Sequence, residues 1–140
     1  MLAWVIYISK SRISSENSFE KIEALVQRAQ ARNMLLGITG SLIYTGSMFA
    51  QVLEGPLTAL EKLVRVIQAD PRHDVLFVTE PKTVAVRRFK NWSLAYWGPS
   101  TYVLVNLERC LDDDAAVQER NLSALVRLMS EFANRQDQGA

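Results

Sequence analysis

Hydrophobic and polar positions in this chain follow two different periods, and the switches between them mark the expected elements. Short runs rich in β-branched and aromatic residues predict strands, whereas apolar residues three and four positions apart predict amphipathic helices. Glycine, proline and polar clusters separate the runs. The expected order is strand, helix, strand, strand, helix, strand, strand, over residues 2–9, 18–32, 37–45, 48–55, 56–69, 75–80 and 92–97.

This order of elements predicts an α+β fold with a ferredoxin-like βαββαββ sheet. The short turn at Thr45, Gly46 and Ser47 joins the second and third strands into a hairpin, and the hairpin connects two strand-helix-strand units. Since both crossovers should be right-handed, both helices are expected on one face of the sheet. Ser18 is the expected N-cap of the first helix, and Asn33 is expected at its C-terminal end.

Residues 99–140 are expected to form a helical extension of a domain that covers residues 1–98. A cluster of aspartates precedes an apolar stripe that runs to about Asn134, which predicts a capped amphipathic helix. We expect this tail to lie on or near the sheet face opposite the two crossover helices. A homodimer through that apolar face or through the tail is also expected. The face is apolar because it carries Trp4, Ile6 and Ile8.

Composition favours one soluble domain without a nucleic-acid or membrane partner. The chain has 140 residues, of which 49% are hydrophobic, enough to build one core. Sixteen basic and fifteen acidic residues leave a formal charge of +1, which argues against binding to a polyanion. The opening apolar run is only seven residues long, too short for a membrane span or a signal sequence.

Cys110 is the only cysteine and His73 the only histidine. A single thiol forms no intrachain disulfide, which fits a reducing cytoplasm. Metal sites rich in cysteine or histidine and a Cys-His nucleophile are not expected. His73 lies close in sequence to Asp70 and Arg72, and a surface imidazole with a carboxylate partner nearby is the favoured interpretation.

Gln51 is a polar residue in a strand that otherwise looks buried. Alternation places it on one face with Phe49 and Leu53, and a buried amide without a partner costs about 1–3 kcal/mol. If the first and third strands are adjacent, Tyr7 lies close enough to be the partner. A phenol can give a proton and an electron, and an amide that turns over exchanges a donor for an acceptor. The same pair could also do no more than satisfy two buried polar groups.

Three further polar residues have two interpretations each. Asn33 could bind a ligand between the helices or cap the first helix. Trp92 could donate an indole hydrogen bond to a functional group or belong to the core. Arg32 could bond the last carbonyls of its helix or reach a ligand. The residues alone therefore indicate a ferredoxin-like domain with a candidate polar site between sheet and helices.

Five segments, in this order, resemble the BLUF family, the sensors of blue light using flavin. They are VIYIS at 5–9, ARNMLLGITGSLIY at 31–44, FAQVLEG at 49–55, DPRH at 70–73 and RFKNWSL at 88–94. The likeness covers about residues 2–98. It implies FAD bound non-covalently between the two helices, and blue-light signalling to a downstream protein without enzymatic turnover. No catalytic and no metal-binding residue is implied.

The resemblance also implies roles for individual residues. Tyr7 is similar to the family's redox-active tyrosine, and Gln51 to the glutamine whose hydrogen bond to the flavin changes in light. Trp92 and Leu94 match the implied signal relay, although Leu94 stands where the family commonly has methionine and has no thioether sulfur to accept a hydrogen bond. The residues implied to bind the flavin are Tyr7, Leu25, Ala29, Arg32, Asn33, Gln51, Ile67, Asp70 and His73.

Two other functions fit the same fold. An acylphosphatase-like hydrolase needs an arginine in a phosphate-binding loop, and the loop after the first strand contains Arg12 but no glycine-rich cradle. A BLUF-like domain without photochemistry would act only as a protein-interaction module. The presence of Tyr7, Asn33 and Gln51 favours the photoreceptor.

Overall fold

The computed structural model describes residues 1–14, 16–98 and 100–138. In chain order its elements are β1 Leu2–Ser11, α1 Ser18–Leu36, β2 Thr39–Tyr44, β3 Met48–Pro56, α2 Leu57–Gln68, β4 His73–Val78, β5 Lys82–Thr83, β6 Trp92–Trp97, α3 Thr101–Arg109 and α4 Ala115–Gln138.

One six-stranded sheet forms the centre of the described structure. Its strand order is β4-β1-β3-β2-β6, and the two-residue strand β5 pairs with β1. Strands β1 and β3 are antiparallel neighbours at the middle of the sheet, as the ferredoxin-like prediction requires. Strand β6 joins the edge parallel to β2, where Trp92 lies beside Gly40 and Leu94 beside Leu42. The predicted α+β, ferredoxin-like architecture is confirmed.

Helices α1 and α2 cover one face of the sheet and enclose the first core. Helix α2 buries Leu60, Leu63 and Ile67, whose spacing of three and four residues places them on one side of the helix. Helix α1 contributes Ile22 and Ala29. The sheet residues of this core are Ala3, Val5, Tyr7, Leu42, Tyr44, Phe49, Leu53 and Trp92.

The tail covers the opposite face, which confirms the predicted place of the C-terminal helix. Helices α3 and α4 pack on the side chains of the intervening strand positions and bury a second core. Asp114 caps α4, because its Oδ1 accepts hydrogen bonds from the backbone N–H groups of Ala116 and Val117 at 3.0 and 3.1 Å. The fully buried residues of this core include Ile6, Ile8, Ile43, Leu107, Leu125 and Met129.

The helix α1 begins at Ser18 as predicted, but its predicted N-cap and its predicted C-terminal end were wrong. The N-cap is Asn17, in the left-handed region at φ 57°, and Ser18 is the first helical residue. At the other end α1 continues past Arg32 to Leu36. Gly37, at φ 69°, adopts the left-handed conformation that ends a helix without a steric cost. Asn33 is therefore a buried residue inside the last turns of α1 and not its cap.

Two elements were absent from the sequence prediction, namely β5 and α3. Strand β5 has only two residues, too few to show a period. Helix α3 contains several β-branched and aromatic residues, which favour strands when considered alone. Its start is fixed by Ser100, whose Oγ accepts a hydrogen bond from the N–H of Val103 at 3.3 Å. Strand β4 also runs from His73 to Val78, earlier than the predicted range 75–80.

Neither a membrane-spanning helix nor a metal-binding cluster occurs among the described residues. In that part of the chain, no helix combines the length and the apolar character needed to cross a membrane. The same residues contain no group of three or more histidine, cysteine, aspartate or glutamate side chains placed to hold a metal ion.

Candidate functional site

Tyr7 and Gln51 lie directly opposite each other in the antiparallel pairing of β1 and β3. Alternation turns both side chains towards the helices, because both are in step with the core residues Val5 and Leu53. The Gln51 amide nitrogen Nε2 donates a hydrogen bond to the Tyr7 hydroxyl oxygen at 2.6 Å. Both residues are buried. The predicted partner of the Gln51 amide is therefore present.

Trp92 supplies a second partner that the sequence prediction did not include. Its indole Nε1 donates a hydrogen bond to Gln51 Oε1 at 2.7 Å. An indole N–H can only donate, so the amide atom that faces it must be the oxygen, and the nitrogen must face Tyr7. Three side chains from β1, β3 and β6 thus form one hydrogen-bonded chain, and Trp92 fixes the orientation of its central amide.

Burial raises the pKa of the Tyr7 hydroxyl well above its ordinary value, while the hydrogen bond from Gln51 acts in the opposite direction and is the smaller effect. The phenol therefore remains protonated throughout the neutral range. A protonated phenol beside an acceptor can supply both an electron and a proton.

His73 ties the start of β4 to two other elements near Tyr7. Its Nε2 lies 2.6 Å from the carbonyl oxygen of Ile67, at the end of α2, and its Nδ1 lies 2.8 Å from Ser9 Oγ on β1. Because a carbonyl can only accept, Nε2 is the nitrogen that carries the proton in the neutral ring. The rings of Tyr7 and His73 meet edge to face, with centroids 5.7 Å apart. The sequence interpretation of His73 as a surface residue was wrong, since the ring is only partly exposed and bonded on both nitrogens.

A cavity of about 430 Å³, here called the central cavity, opens between α1, α2 and the sheet beside these residues. This volume lies within the usual range for small-molecule sites. Nine residues singled out from the sequence line it: Tyr7, Leu25, Ala29, Arg32, Gln51, Ile67, Asp70, His73 and Trp92. The lining residues that the sequence analysis did not assign to the site are Arg28, Leu42, Phe49 and Arg72.

Simple sequence signals could have found several of these four residues. Arg28 lies one helical turn before Arg32, so both project from similar sides of α1. Phe49 lies two positions before Gln51 on β3 and therefore shares its face. Arg72 lies within the segment DPRH that was already noted.

Arginine side chains make the central cavity electropositive at its edge. Arg72 donates to the Asp70 carboxylate through Nε at 2.9 Å, and this hydrogen bond lowers the pKa of Asp70 to about 2. Asp70 is thus ionised and already paired with Arg72. Among the described lining residues, Arg28 and Arg32 have no carboxylate partner. Their charges remain available to an anionic part of a ligand.

Asn33 lies in the wall of a neighbouring cavity of about 390 Å³, and Trp92 lines both cavities. The Asn33 side chain is fully buried, and its Oδ1 accepts a hydrogen bond from Arg32 Nε at 3.2 Å. Its Nδ2 has no hydrogen-bond partner among the described residues. A buried donor without a partner costs about 1–3 kcal/mol, so this amide is suited to a ligand that brings an acceptor.

Leu94 does not line the central cavity. It is partly buried and packs against the helix-side core from β6, two residues beyond Trp92. Its side chain therefore faces the same way as Trp92, and movement at either residue would change packing at the other.

The BLUF family model, described as sensors of blue-light using FAD, matches residues 2–95. This chain belongs to the BLUF family. BLUF proteins sense blue light with a bound flavin. The unpartnered Asn33 amide and the partly apolar walls also fit a flat ring with polar edges.

Known proteins show the same BLUF unit in different settings. The blue light- and temperature-regulated antirepressor BluF of Escherichia coli is 42% identical over 73 residues, which are 52% of this chain and 18% of BluF. The photoactivated adenylate cyclase subunit beta of Euglena gracilis is 31% identical over 90 residues, 64% of this chain and 10% of that subunit. This chain thus matches only a small part of either relative's length.

A solved BLUF structure extends the likeness into the tail. The dark-state structure of the BLUF protein BlrB is 30% identical and has a TM-score of 0.67, with 89% of this chain and 94% of BlrB covered. Coverage of this extent includes residues beyond the BLUF family match at 2–95. The BLUF architecture with a C-terminal extension therefore recurs in a solved structure.

Proposed function

We propose that this protein is a blue-light photoreceptor that binds FAD non-covalently in the central cavity and signals to a downstream protein. One observation carries the proposal, namely the hydrogen-bonded chain Tyr7–Gln51–Trp92 along a cavity of the size usual for small-molecule sites. The buried Asn33 amide without a partner supports it independently.

The residues proposed to hold the flavin fall into three groups. Leu25, Ala29 and Ile67 supply apolar walls from the two helices, while Tyr7, Gln51 and Asn33 supply polar atoms. Arg32, Asp70 and His73 complete the site, with Arg32 also holding the Asn33 carboxamide oxygen. No residue is proposed as a metal ligand or as a catalytic group for turnover.

A bound flavin supplies light absorption and an acceptor for one electron and one proton. Tyr7 is placed to donate both, because its phenol is protonated and lies against the Gln51 amide. The side-chain amide of Gln51 can then rotate, so that its oxygen and its nitrogen exchange positions. In the turned orientation its NH₂ group would face the Trp92 N–H, so two donors would oppose each other. Turning Gln51 therefore requires the Trp92 bond to break, which links the amide to β6.

We propose FAD in preference to FMN from the family description and from the charge at the cavity edge. Arg28 and Arg32 lie one helical turn apart and can contact phosphate oxygens. An FAD pyrophosphate offers more oxygens to such a pair than the single phosphate of FMN.

Residues 1–98 are proposed as the photosensor unit and 99–140 as the signalling extension, of which residues 99, 139 and 140 lie outside the described part. Trp92 and Leu94 are proposed as the relay, because β6 leads directly into the extension. Leucine in place of the usual methionine limits this relay to packing changes. A homodimer through the tail and a cytoplasmic location complete the proposal.

The hydrolase alternative gains no support from the loop after β1. Arg12 Nε donates a hydrogen bond to Asp74 Oδ2 at 2.8 Å, and the backbone N–H of Arg12 donates to the Arg72 carbonyl oxygen. The arginine is therefore paired with a carboxylate and not presented in a phosphate-binding loop.

Absorption spectroscopy of the purified protein tests the proposal. The protein should be yellow, and its flavin band should shift to the red under blue light and return in darkness. Chromatography of the flavin released by heat should identify FAD. If the released flavin is FMN, only the choice of cofactor is wrong, and the photoreceptor proposal stands. A colourless protein that binds neither added FAD nor added FMN would overturn the photoreceptor assignment.

A further inference from the structure

A second concave site lies on the other side of the molecule, between the tail helix α4 and the edge of the sheet. Its volume is about 380 Å³, and we call it the tail cavity. Helix α4 contributes one face, because its lining positions recur every three or four residues. These positions are Glu119, Leu122, Ser123, Val126, Arg127 and Ser130. The opposite wall comes from Trp4, Thr79, Lys82 and Arg88.

The charges around the tail cavity are strongly unequal. Lys82, Arg88 and Arg127 are cationic, while Glu119 is the single carboxylate among the described lining residues, which leaves an excess of two positive charges. In the described part of the chain none of these three cations forms a salt bridge. Such a group of cations repels itself unless an anion lies between its members.

Contacts within the protein place the Lys82 ammonium and the backbone of Arg88. The Lys82 ammonium lies over the Trp4 ring, 5.8 Å from its centroid. The backbone N–H of Arg88 donates to the buried Glu54 carboxylate, at 2.8 Å from Oε1. The Lys82 ammonium and the backbone from which the Arg88 side chain extends are therefore in place before any ligand binds.

The remaining lining suits an apolar body attached to the anion. Trp4, Leu122 and Val126 provide an aromatic and aliphatic wall, and Ser123 and Ser130 provide hydroxyl groups. A bare inorganic anion would leave this apolar wall unused. The cavity volume lies within the range found for small-molecule sites.

We propose that the tail cavity binds a small phosphate ester with an apolar body, such as a nucleoside monophosphate. The phosphate lies between Arg88, Arg127 and Lys82, and the base lies against Trp4, Leu122 and Val126. Because the two walls belong to the sheet and to α4, the bound ligand stabilises the docked tail. The tail cavity is separate from the central cavity and does not depend on photochemistry.

Calorimetric titration of the flavin-loaded protein with AMP, inorganic phosphate and adenosine tests the proposal. AMP should bind saturably, phosphate more weakly, and adenosine weakest of the three. Arg127→Gln should weaken AMP binding about tenfold, because a charge-assisted hydrogen bond is lost. Arg120→Gln, on the same helix but outside the cavity lining, is the matched control and should bind AMP normally.

Three results would overturn the proposal. The first is the absence of saturable AMP binding, and the second is equal binding of adenosine and AMP. The third is a loss of AMP binding in Arg28→Gln but not in Arg127→Gln, which would place the phosphate at the edge of the central cavity. The flavin absorption band, recorded in every titration, should not move, since a shift would also place AMP in the flavin site.

Discussion

Gln51 has an amide whose two ends contact different kinds of partner. Its oxygen contacts a group that can only donate, the Trp92 indole, and its nitrogen contacts the Tyr7 hydroxyl. A hydroxyl can accept or donate, so it tolerates either end of the amide, whereas the indole tolerates only the oxygen. Trp92 therefore gives the two amide orientations different energies, and a switch needs this difference.

Replacing either member of the photoactive pair should separate flavin binding from the light response. Gln51→Leu removes the amide, and Tyr7→Phe removes the hydroxyl while keeping the ring. Both variants should bind flavin and lose the reversible red shift, measured by absorption before and after blue light. Phe49→Leu, which changes a lining residue without polar atoms, is the control and should keep the shift. A normal photocycle in either polar variant would contradict the assigned roles.

The Trp92–Gln51 hydrogen bond should appear as a coupling energy in a double-mutant cycle. Gln51→Leu leaves the buried indole N–H without an acceptor, so it should lower the free energy of unfolding by about 1–3 kcal/mol. Trp92→Phe in that background should cost less than in the unaltered protein, and the difference should be about 0.5–3 kcal/mol. Urea unfolding of the four proteins measures it. Additive effects would mean that the bond contributes nothing to stability.

Gly40 shows how closely β2 and β3 approach each other. Its φ is 153°, and a Cβ atom built on it would lie 2.0 Å from the carbonyl oxygen of Val52. Backbone atoms cannot move aside as a flexible side chain can. Gly40 also pairs with Trp92 of β6, so a shift here would move the indole that contacts Gln51.

Gly40→Ala should therefore lower the free energy of unfolding by several kcal/mol and weaken flavin binding. Gly46→Ala is the matched control, because Gly46 also has a positive φ, 95°, but a Cβ there meets no atom within 4 Å. Only backbone strain of about 1–2 kcal/mol is expected in the control. Thermal unfolding and flavin titration measure both variants. Equal effects would show that strain, and not the clash with β3, is responsible.

The sequence predicted those parts of the site that depend on local periodicity. Alternation along β1 and β3, together with the ferredoxin-like strand order, was enough to pair Tyr7 with Gln51. The Trp92–Gln51 bond was not predictable in the same way, because it depends on β6 pairing with β2, a contact about fifty residues apart in the chain. Asn33 was predicted at the end of α1 but lies inside the helix, because Gly37, four residues later, fixes the end of α1.

The tail is an integral part of the fold, because it covers one face of the sheet. Helices α3 and α4 cover sheet residues that would otherwise expose a continuous apolar face, which is uncommon in monomeric proteins. Any movement of the tail therefore exposes apolar surface. Such a surface would be available to a partner protein or a second copy of the chain.

Met129→Ala should test how strongly the tail is docked. Met129 is fully buried in the second core, beneath the tail, and truncating such a side chain typically lowers the free energy of unfolding by about 2–5 kcal/mol. Tyr102→Ala in α3 is the control, because Tyr102 is 68% exposed and its loss should change stability little. Urea unfolding and hydrogen exchange of α4 measure the effects. Unchanged protection of α4 in Met129→Ala would contradict a docked tail.

Strand β1 faces both sides of the sheet with neighbouring residues. Tyr7 faces the central cavity, while its covalent neighbours Ile6 and Ile8 face the tail. The central cavity and the second core beneath the tail are thus separated by a single peptide unit on each side of Tyr7. A substitution in β1 that alters one side of the sheet will therefore disturb the other, so the two sides should be varied independently from α1 and α4, which lie on opposite faces of the sheet.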